Sequence, residues 1–215
     1  MIVVVNQKPS IASQFLAELR DKRIQRDRMR FRKNLTRLGE IMAYEISKKL
    51  NYKPVNVVTP LGKAASVHAE PPVLLTIMRA GLPYFQGFQN YFDEADCGFI
   101  GAYRKEKSKK GLKIKIDYLA SPDLGGKVVI LIDPMLATGK SIADTIELLN
   151  ERGRPAHIHI ASLVAAPEGI RYLVKNLKVP HTIWTFTKDK KLNDKFFIVP
   201  GLGDAGDLSF GEKIG

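Results

Sequence analysis

Short, unbroken apolar runs recur along the chain at Ile2–Val5, Val55–Val58, Val73–Met78, Phe99–Tyr103, Val128–Ile132, His157–Val164, Thr182–Phe186 and Phe196–Val199. Runs of this length with little polar alternation predict strands covered on both faces, the condition of a parallel sheet. Between many of them apolar residues return at helical spacing. The clearest case is Phe31 to Leu50, where Leu35, Leu38, Met42, Ile46 and Leu50 share one face at intervals of three and four. Further helices are predicted over about Ser10–Arg20, Leu82–Tyr91, Ser141–Asn150 and Glu168–Asn176. Strands alternating with helices predict an α/β fold: an open, mostly parallel twisted sheet with helices on both faces. The chain has 215 residues and no internal repeat or low-complexity linker, so a single domain spanning 1–215 is expected.

One segment breaks the pattern. Arg104 to Gly126 carries Lys105, Lys107, Lys109, Lys110, Lys113 and Lys115, with Gly111 as a turn. It reads as a solvated hairpin or flap close to an anion site.

Charge adds to that picture. Lys and Arg number 34 against 22 Asp and Glu, a formal charge of +12. Such a balance favours anionic partners, whether a phosphorylated metabolite, nucleic acid or a membrane surface, and does not choose among them. No run of about 18 apolar residues appears, so no membrane span is expected. The opening MIVVVNQKPS does not read as a signal peptide, and Cys97 is the single cysteine, ruling out an intrachain disulfide. A cytoplasmic location fits these features.

The most informative stretch is Val128 to Ser141, VVILIDPMLATGKS. A buried strand ends on Asp133, a short loop follows, and a helix begins at about Ser141. Helix-start N–H groups and the helix dipole both favour an anion there. A nucleoside-triphosphate P-loop is one reading, because Gly139-Lys140-Ser141 ends like one. That motif needs glycine where this chain has Pro134, which fixes φ and donates no hydrogen bond. A second reading is an ordinary strand-ending turn, with Ser141 and Asp144 capping the helix. A third is a phosphoribosyl diphosphate loop. A 5′-phosphate would rest on the N–H groups of Ala137 through Ser141, assisted by the Thr138 and Ser141 hydroxyls, with Asp133 facing the ribose hydroxyls.

Other segments carry two readings each. Pro200-Gly-Leu-Gly203-Asp204-Ala205-Gly206-Asp207 is either a glycine-rich turn or a backbone surface for close approach to a ligand. Arg79, after VLLTIM, and Arg104, after GFIGAY, are surface arginines or anion-holding groups at strand ends. The basic run from Arg20 to Lys33 reads as a solvated segment or subunit interface rather than a nucleic-acid patch, since no aromatic residues interleave it as in single-strand binders. His157 and His159 share a strand face without a third ligand nearby, and Cys97 reads as an inert, partly buried thiol.

These motifs together resemble a known family. DPMLATG at 133–139 and PGLGDAGD at 200–207 are similar to the two signatures of the uracil phosphoribosyltransferases. Most type I phosphoribosyltransferases carry two adjacent acids where this chain has Asp133-Pro134. The resemblance extends to FRKNLTRLGEIMAYE, TPLGKAAS and SLVAAPEGI, so it covers most of the chain. It implies a type I phosphoribosyltransferase-like sheet with a small hood or flap region, and the reaction of uracil with 5-phospho-α-D-ribose 1-diphosphate to give UMP and diphosphate. It implies Arg79, Arg104, Asp133, Pro134, Met135, Leu136, Ala137, Thr138, Gly139, Lys140, Ser141 and Asp204 as phosphoribosyl diphosphate contacts. Ile198, Gly203, Asp204 and Ala205, in a segment of about 196–211, would contact uracil. Asp133, Asp204 and Arg104 would serve catalysis. Mg²⁺ would enter mainly through phosphoribosyl diphosphate, with no dedicated protein metal site. Members form dimers or higher homo-oligomers, and some respond to GTP. Two departures stand out: Lys140 replaces the glycine of the family motif, and the flap is rich in lysine where several acids are usual. An RNA-binding regulator on the same fold, or a relative with altered base specificity, are the alternatives. No membrane partner is expected, and nucleic acid is not the favoured partner.

Overall fold

The computed structural model describes residues 1–104 and 114–213, with the side chains of 102–104 and 114–117 excepted. The strands of the main sheet are β1 (Ile2–Val4), β4 (Val73–Met78), β5 (Cys97–Arg104), β6 (Ile114–Ala120), β7 (Val128–Ile132), β8 (Met135–Leu136), β9 (His157–Ala165) and β10 (His181–Lys188). Two small antiparallel pairs stand apart from it: β2 (Tyr52–Thr59) with β3 (Gly62–Ala69), and β11 (Lys191–Leu192) with β12 (Ile198–Val199). The helices are α1 (Ile11–Arg20), α2 (Arg28–Ser47), α3 (Gly81–Gln89), α4 (Lys140–Leu149), α5 (Pro167–Asn176) and α6 (Ala205–Phe210).

The main sheet runs β1-β10-β9-β7-β4-β5-β6, with β8 extending alongside β9. Every pairing along it is parallel except β5 with β6. This is the expected open, mostly parallel α/β sheet. Its strands alternate their side chains between two cores. Leu74, Ile130 and Ile132 pack with Leu35, Leu38 and Met42 of α2 and Phe85 and Phe88 of α3. Val73, Leu75, Val129 and Leu131 face the other way, onto Ile142 and Ile146 of α4 and Leu173 of α5. Two-sided burial is why these strands read as continuous apolar runs. Helix α2 begins on Asp27, whose carboxylate accepts the Arg30 N–H at 3.0 Å. It meets α3 backbone to backbone: a Cβ on Gly39 would strike the Tyr84 carbonyl, and one on Gly87 the Thr36 carbonyl.

The topology creates one crevice. From β4 the chain passes through α3 to β5 on one side; from β7 it passes through α4 to β9 on the other. Where neighbouring parallel strands send their connections in opposite directions, a cleft opens at their carboxyl ends. Met78 and Ile132 end the two strands there.

Some elements depart from the expectations. The strand Val55–Val58 is half of a longer arm, since β2 pairs β3 from Tyr52–Ala69 to Thr59–Gly62. The sequence GKAASVHA of β3 has no apolar run, so nothing in it marked a strand. The flap begins as a hairpin, β5 with β6; the lysines of 105–113 lie outside the described residues. Leu124, farther along the same segment, is fully buried, with its N–H on the Arg152 carbonyl. No helix among the described residues is long and apolar enough to cross a membrane.

At the amino end of β9, the His157 and His159 rings lie tilted to one another with centroids 4.7 Å apart. His159 is 4% exposed and its Nδ1 accepts the Trp184 indole N–H at 3.1 Å. Burial, with His157 adding to it, lowers its pKa from 6.5 to about 4. Between those values the unfolded chain binds a proton that the folded chain refuses. The contribution of His159 to stability is therefore fully present above its unfolded value of 6.5 and is lost as pH drops toward 4, by an amount on the order of 2–3 kcal/mol. Urea unfolding from pH 7 to 4 will show this slope, and His159→Gln, which keeps an acceptor for Trp184, will flatten it.

Candidate active site

Three segments meet at the crevice. The first follows β4. The Met78–Arg79 peptide bond is cis, and the Arg79 Nη2 donates to Asp207 Oδ1 at 2.8 Å and to the Gly211 carbonyl at 3.2 Å. The loop is braced against β7 by the buried Thr76 hydroxyl, which donates to the Ile132 carbonyl at 3.3 Å.

The second segment begins one residue beyond Ile132. Asp133 Oδ1 accepts the Met135 N–H at 3.1 Å, an Asx-type turn that bends the chain around Pro134. The loop then becomes strand. The Pro134 carbonyl accepts the N–H groups of Leu163 and Val164, and Met135 and Leu136 pair with Val164 and Ala165. Pro134 and Leu136 are buried. The Ala137 N–H already donates to the Met135 carbonyl at 3.1 Å, so it is engaged within the loop rather than open toward a phosphate. Thr138 Oγ1 lies 3.4 Å from the Lys140 nitrogen. Gly139 has φ +76°, and a Cβ there would stand 2.7 Å from the Gly169 carbonyl. Both the left-handed backbone and the close pass of α5 therefore require glycine. Helix α4 starts at once, with Lys140 exposed and Ser141 half-buried. One turn on, the Asp144 carboxyl is raised by burial and by Glu147, against the opposing pull of Lys140.

The third segment is the C-terminal turn. Ile198 is buried and pairs with Leu192, and a cis Val199–Pro200 bond follows. The Gly201 N–H donates to Asp189 Oδ2 at 2.8 Å, while Asp189 Oδ1 accepts from Arg20 Nη2 at 2.7 Å. Gly203 is exposed, Ala205 is buried, and Asp204 caps α6 by accepting the Gly206 and Asp207 N–H groups at 2.9 and 3.0 Å on Oδ1. Its Oδ2 lies 3.9 Å from Lys213 Nζ. Gly203, Asp204 and Asp207 line a cavity of about 620 Å³ together with Gln25, Arg26 and Arg28.

The structure thus joins Arg79 directly to the C-terminal turn and seats it beside the strand end that carries Asp133. The backbone of Arg104 ends β5, and its side chain lies outside the described residues. Three groups were not singled out from the sequence. Asp189 sits between Lys188 and Lys190 and is only 6% exposed. Asp207 closes the glycine-rich motif, where nothing local marks it as a partner for a distant arginine. Arg26 and Arg28, within the basic run, line the cavity beside Asp204; only their density of charge could have drawn attention to them.

Comparison with known proteins identifies the family. A profile of the uracil phosphoribosyltransferase family matches residues 5–212. A protein named uracil phosphoribosyltransferase from Porphyromonas gingivalis is 47% identical, with 99% of each chain aligned. Another of that name, from Methanothermobacter thermautotrophicus, is 39% identical over 84% of this chain and 83% of its own. Among solved structures, the AQ2163 protein from Aquifex aeolicus superposes with a TM-score of 0.88 at 30% identity, covering all of both chains. With a family profile spanning nearly the whole chain and a relative 47% identical along its full length, this chain belongs to the uracil phosphoribosyltransferase family.

Proposed function

We propose that this protein joins uracil N1 to C1 of phosphoribosyl diphosphate, releasing diphosphate and forming UMP, in pyrimidine salvage. The observation that carries the reading is the ion pair between Arg79 and Asp207. It links the strand-end loop suited to a diphosphate with the turn suited to a base, across a gap of 128 residues in sequence.

In the reaction the N1–C1 bond forms as the C1–oxygen bond to diphosphate breaks, and the N1 proton leaves to solvent. Ribosyl transfer of this kind develops oxocarbenium character at C1. The enzyme's part is to hold both reactants in line and to stabilise charge on the departing diphosphate. Arg79 and Arg104 are the cations assigned to that task. A 5′-phosphate would meet the start of α4, where first-turn N–H groups have no helical partner, with Thr138, Ser141 and Lys140 beside it. Pro134, Met135, Leu136 and Ala137 would support that phosphate as the pinned wall of the loop, and Gly139 would let it approach. Asp133 would face the ribose hydroxyls. Uracil would lie against Ile198, Gly203, Asp204 and Ala205, where backbone groups match its acceptor-donor-acceptor edge.

Mg²⁺ fits this donor set as a partner of the diphosphate. Magnesium commonly binds through one or two carboxylates plus substrate phosphates, and Asp204 offers Oδ2, which lies 3.9 Å from Lys213 Nζ while Oδ1 caps α6. The metal would supply charge neutralisation on the leaving group. Phosphorylated substrates and product do not cross membranes unaided, which supports a cytoplasmic setting. The RNA-binding alternative loses support because three of the eight basic residues in the run from Arg20 to Lys33 are engaged within the chain: Arg20 with Asp189, Arg30 with Glu18, and Arg32 with the Ser209 carbonyl.

Association of copies is part of the proposal. The arm β2–β3 leaves Val58 79% and Leu61 99% exposed. A lone two-stranded hairpin is marginal in water, so a second copy packing on it accounts for its apolar side chains.

Purified protein incubated with phosphoribosyl diphosphate, Mg²⁺ and each of uracil, cytosine, adenine, hypoxanthine and orotate will form UMP from uracil; no UMP above a protein-free control sinks the proposal. Adding GTP to the same assay reads any effector response. Asp204→Asn retains the α6 cap, since asparagine caps as well as aspartate, but removes the charge; kcat is expected to fall roughly 10²–10³-fold with thermal stability unchanged. An unaltered kcat removes Asp204 from the chemistry. Val58→Lys with Leu61→Lys will shift the protein toward monomer in light scattering, and an unchanged mass dissociates the arm from assembly.

A further inference from the structure

Arg79 is held from one end. Both of its hydrogen bonds leave from Nη2, to Asp207 Oδ1 and to the Gly211 carbonyl. Nε is buried without a partner, and Nη1 has none among the described residues. An arginine gripped in this way keeps one face of its planar fork uncommitted while the rest of the side chain is fixed. Free arginine samples many rotamers, and ordering it at the moment of binding subtracts from affinity.

Asp207 makes a second connection. Its backbone N–H donates to Asp204 Oδ1 at 3.0 Å, beside the Gly206 N–H. A single residue therefore touches both the arginine assigned to the diphosphate and the aspartate assigned to the base and metal side. The pair is also partly open to solvent, with side chains 36% and 31% exposed for Arg79 and Asp207. Ion pairs so exposed contribute little to stability. The consequence of this contact lies in where it puts the guanidinium.

We propose that Asp207 is a positioning residue for phosphoribosyl transfer: it orients Arg79 toward the diphosphate and couples that arginine to Asp204 through its own backbone. Asp207 also lines the cavity beside Asp204, but its role in the transfer is exerted through Arg79. The inference rests on the phosphoribosyltransferase reading above.

The test is a double-mutant cycle. Steady-state kinetics, varying each substrate in turn, are measured for the unaltered enzyme, Asp207→Asn, Arg79→Ala and the double variant. Calorimetric titration with phosphoribosyl diphosphate gives affinity where turnover is too low. Asp207→Asn is expected to raise the phosphoribosyl diphosphate KM about tenfold, leaving the uracil KM and thermal midpoint close to those of the unaltered enzyme. In the Arg79→Ala background the same change is expected to alter affinity by less than a factor of about two. Asp207→Glu, which keeps a carboxylate, is expected to recover part of the loss. Should Arg79→Ala not fold, Arg79→Lys takes its place, since lysine lacks the planar fork.

Equal losses from Asp207→Asn in both backgrounds overturn the proposal, because Asp207 would then act independently of Arg79. So does a loss confined to the uracil KM, or one that tracks a lowered thermal midpoint. An unaltered enzyme that makes no UMP defeats the phosphoribosyltransferase reading instead, which keeps the two failures distinct.

Discussion

Two parallel strands lying side by side, β4 and β7, with their chains departing in opposite directions, are the constraint on which the rest of the structure depends. Their register brings Thr76 opposite Ile132, so the residues just beyond both strands emerge together. Right-handed crossovers carry α3 to one face and α4 to the other, opening a crevice between them. Arg79 and Asp133 owe their proximity to this arrangement. The Thr76 hydroxyl, fully buried, fastens the two strand ends by donating to the Ile132 carbonyl. A buried hydroxyl without such an acceptor is costly, so the contact also discriminates against a shifted register.

A second, smaller constraint holds the C-terminal turn. Asp189 is a nearly buried carboxylate at the end of β10, and it survives there because Arg20 neutralises it and the Gly201 N–H takes its other oxygen. Removing one partner from a buried pair typically costs about 3–5 kcal/mol, since it strands the other charge. Through Asp189 the N-terminal helix, the sheet and the C-terminal turn are tied at one point. This also explains part of the basic N-terminal run: Arg20 and Arg32 are spent on internal acceptors, while Arg26 and Arg28 reach the cavity beside Asp204. A segment that reads as solvated charge is in fact one wall of the candidate site.

How well each element could be read depends on how much of its environment its own residues encode. β4 and β7 match their apolar runs residue for residue, because burial on both faces demands an unbroken apolar sequence. α2 was legible from its stripe, shifted toward the N-terminus by the Asp27 cap. β3 was not legible, because its small and polar residues face solvent and its strand character comes from pairing with β2. The sequence points to the N–H groups of Ala137 through Ser141 as a phosphate cradle, but the residues leading into it, Pro134 to Leu136, are stitched to β9 by backbone hydrogen bonds that leave no trace in side-chain pattern. Lys140 remains distinctive: an exposed cation at the first turn of α4, where the family motif has glycine.

The sequence by itself determined the fold class, the main buried strands and longer helices, and the two glycine-bearing motifs, because periodicity and local turn chemistry are written in neighbouring residues; the kinship followed from the resemblance of those motifs to a known family. Tertiary structure alone decided that Arg79 would be gripped by Asp207, that Asp189 would anchor Gly201, and that Arg26 and Arg28 would line the cavity at Gly203. Those contacts join residues far apart in the chain. Their partners are chosen by sheet order and by the need to pair buried charge, and neither can be read from local pattern.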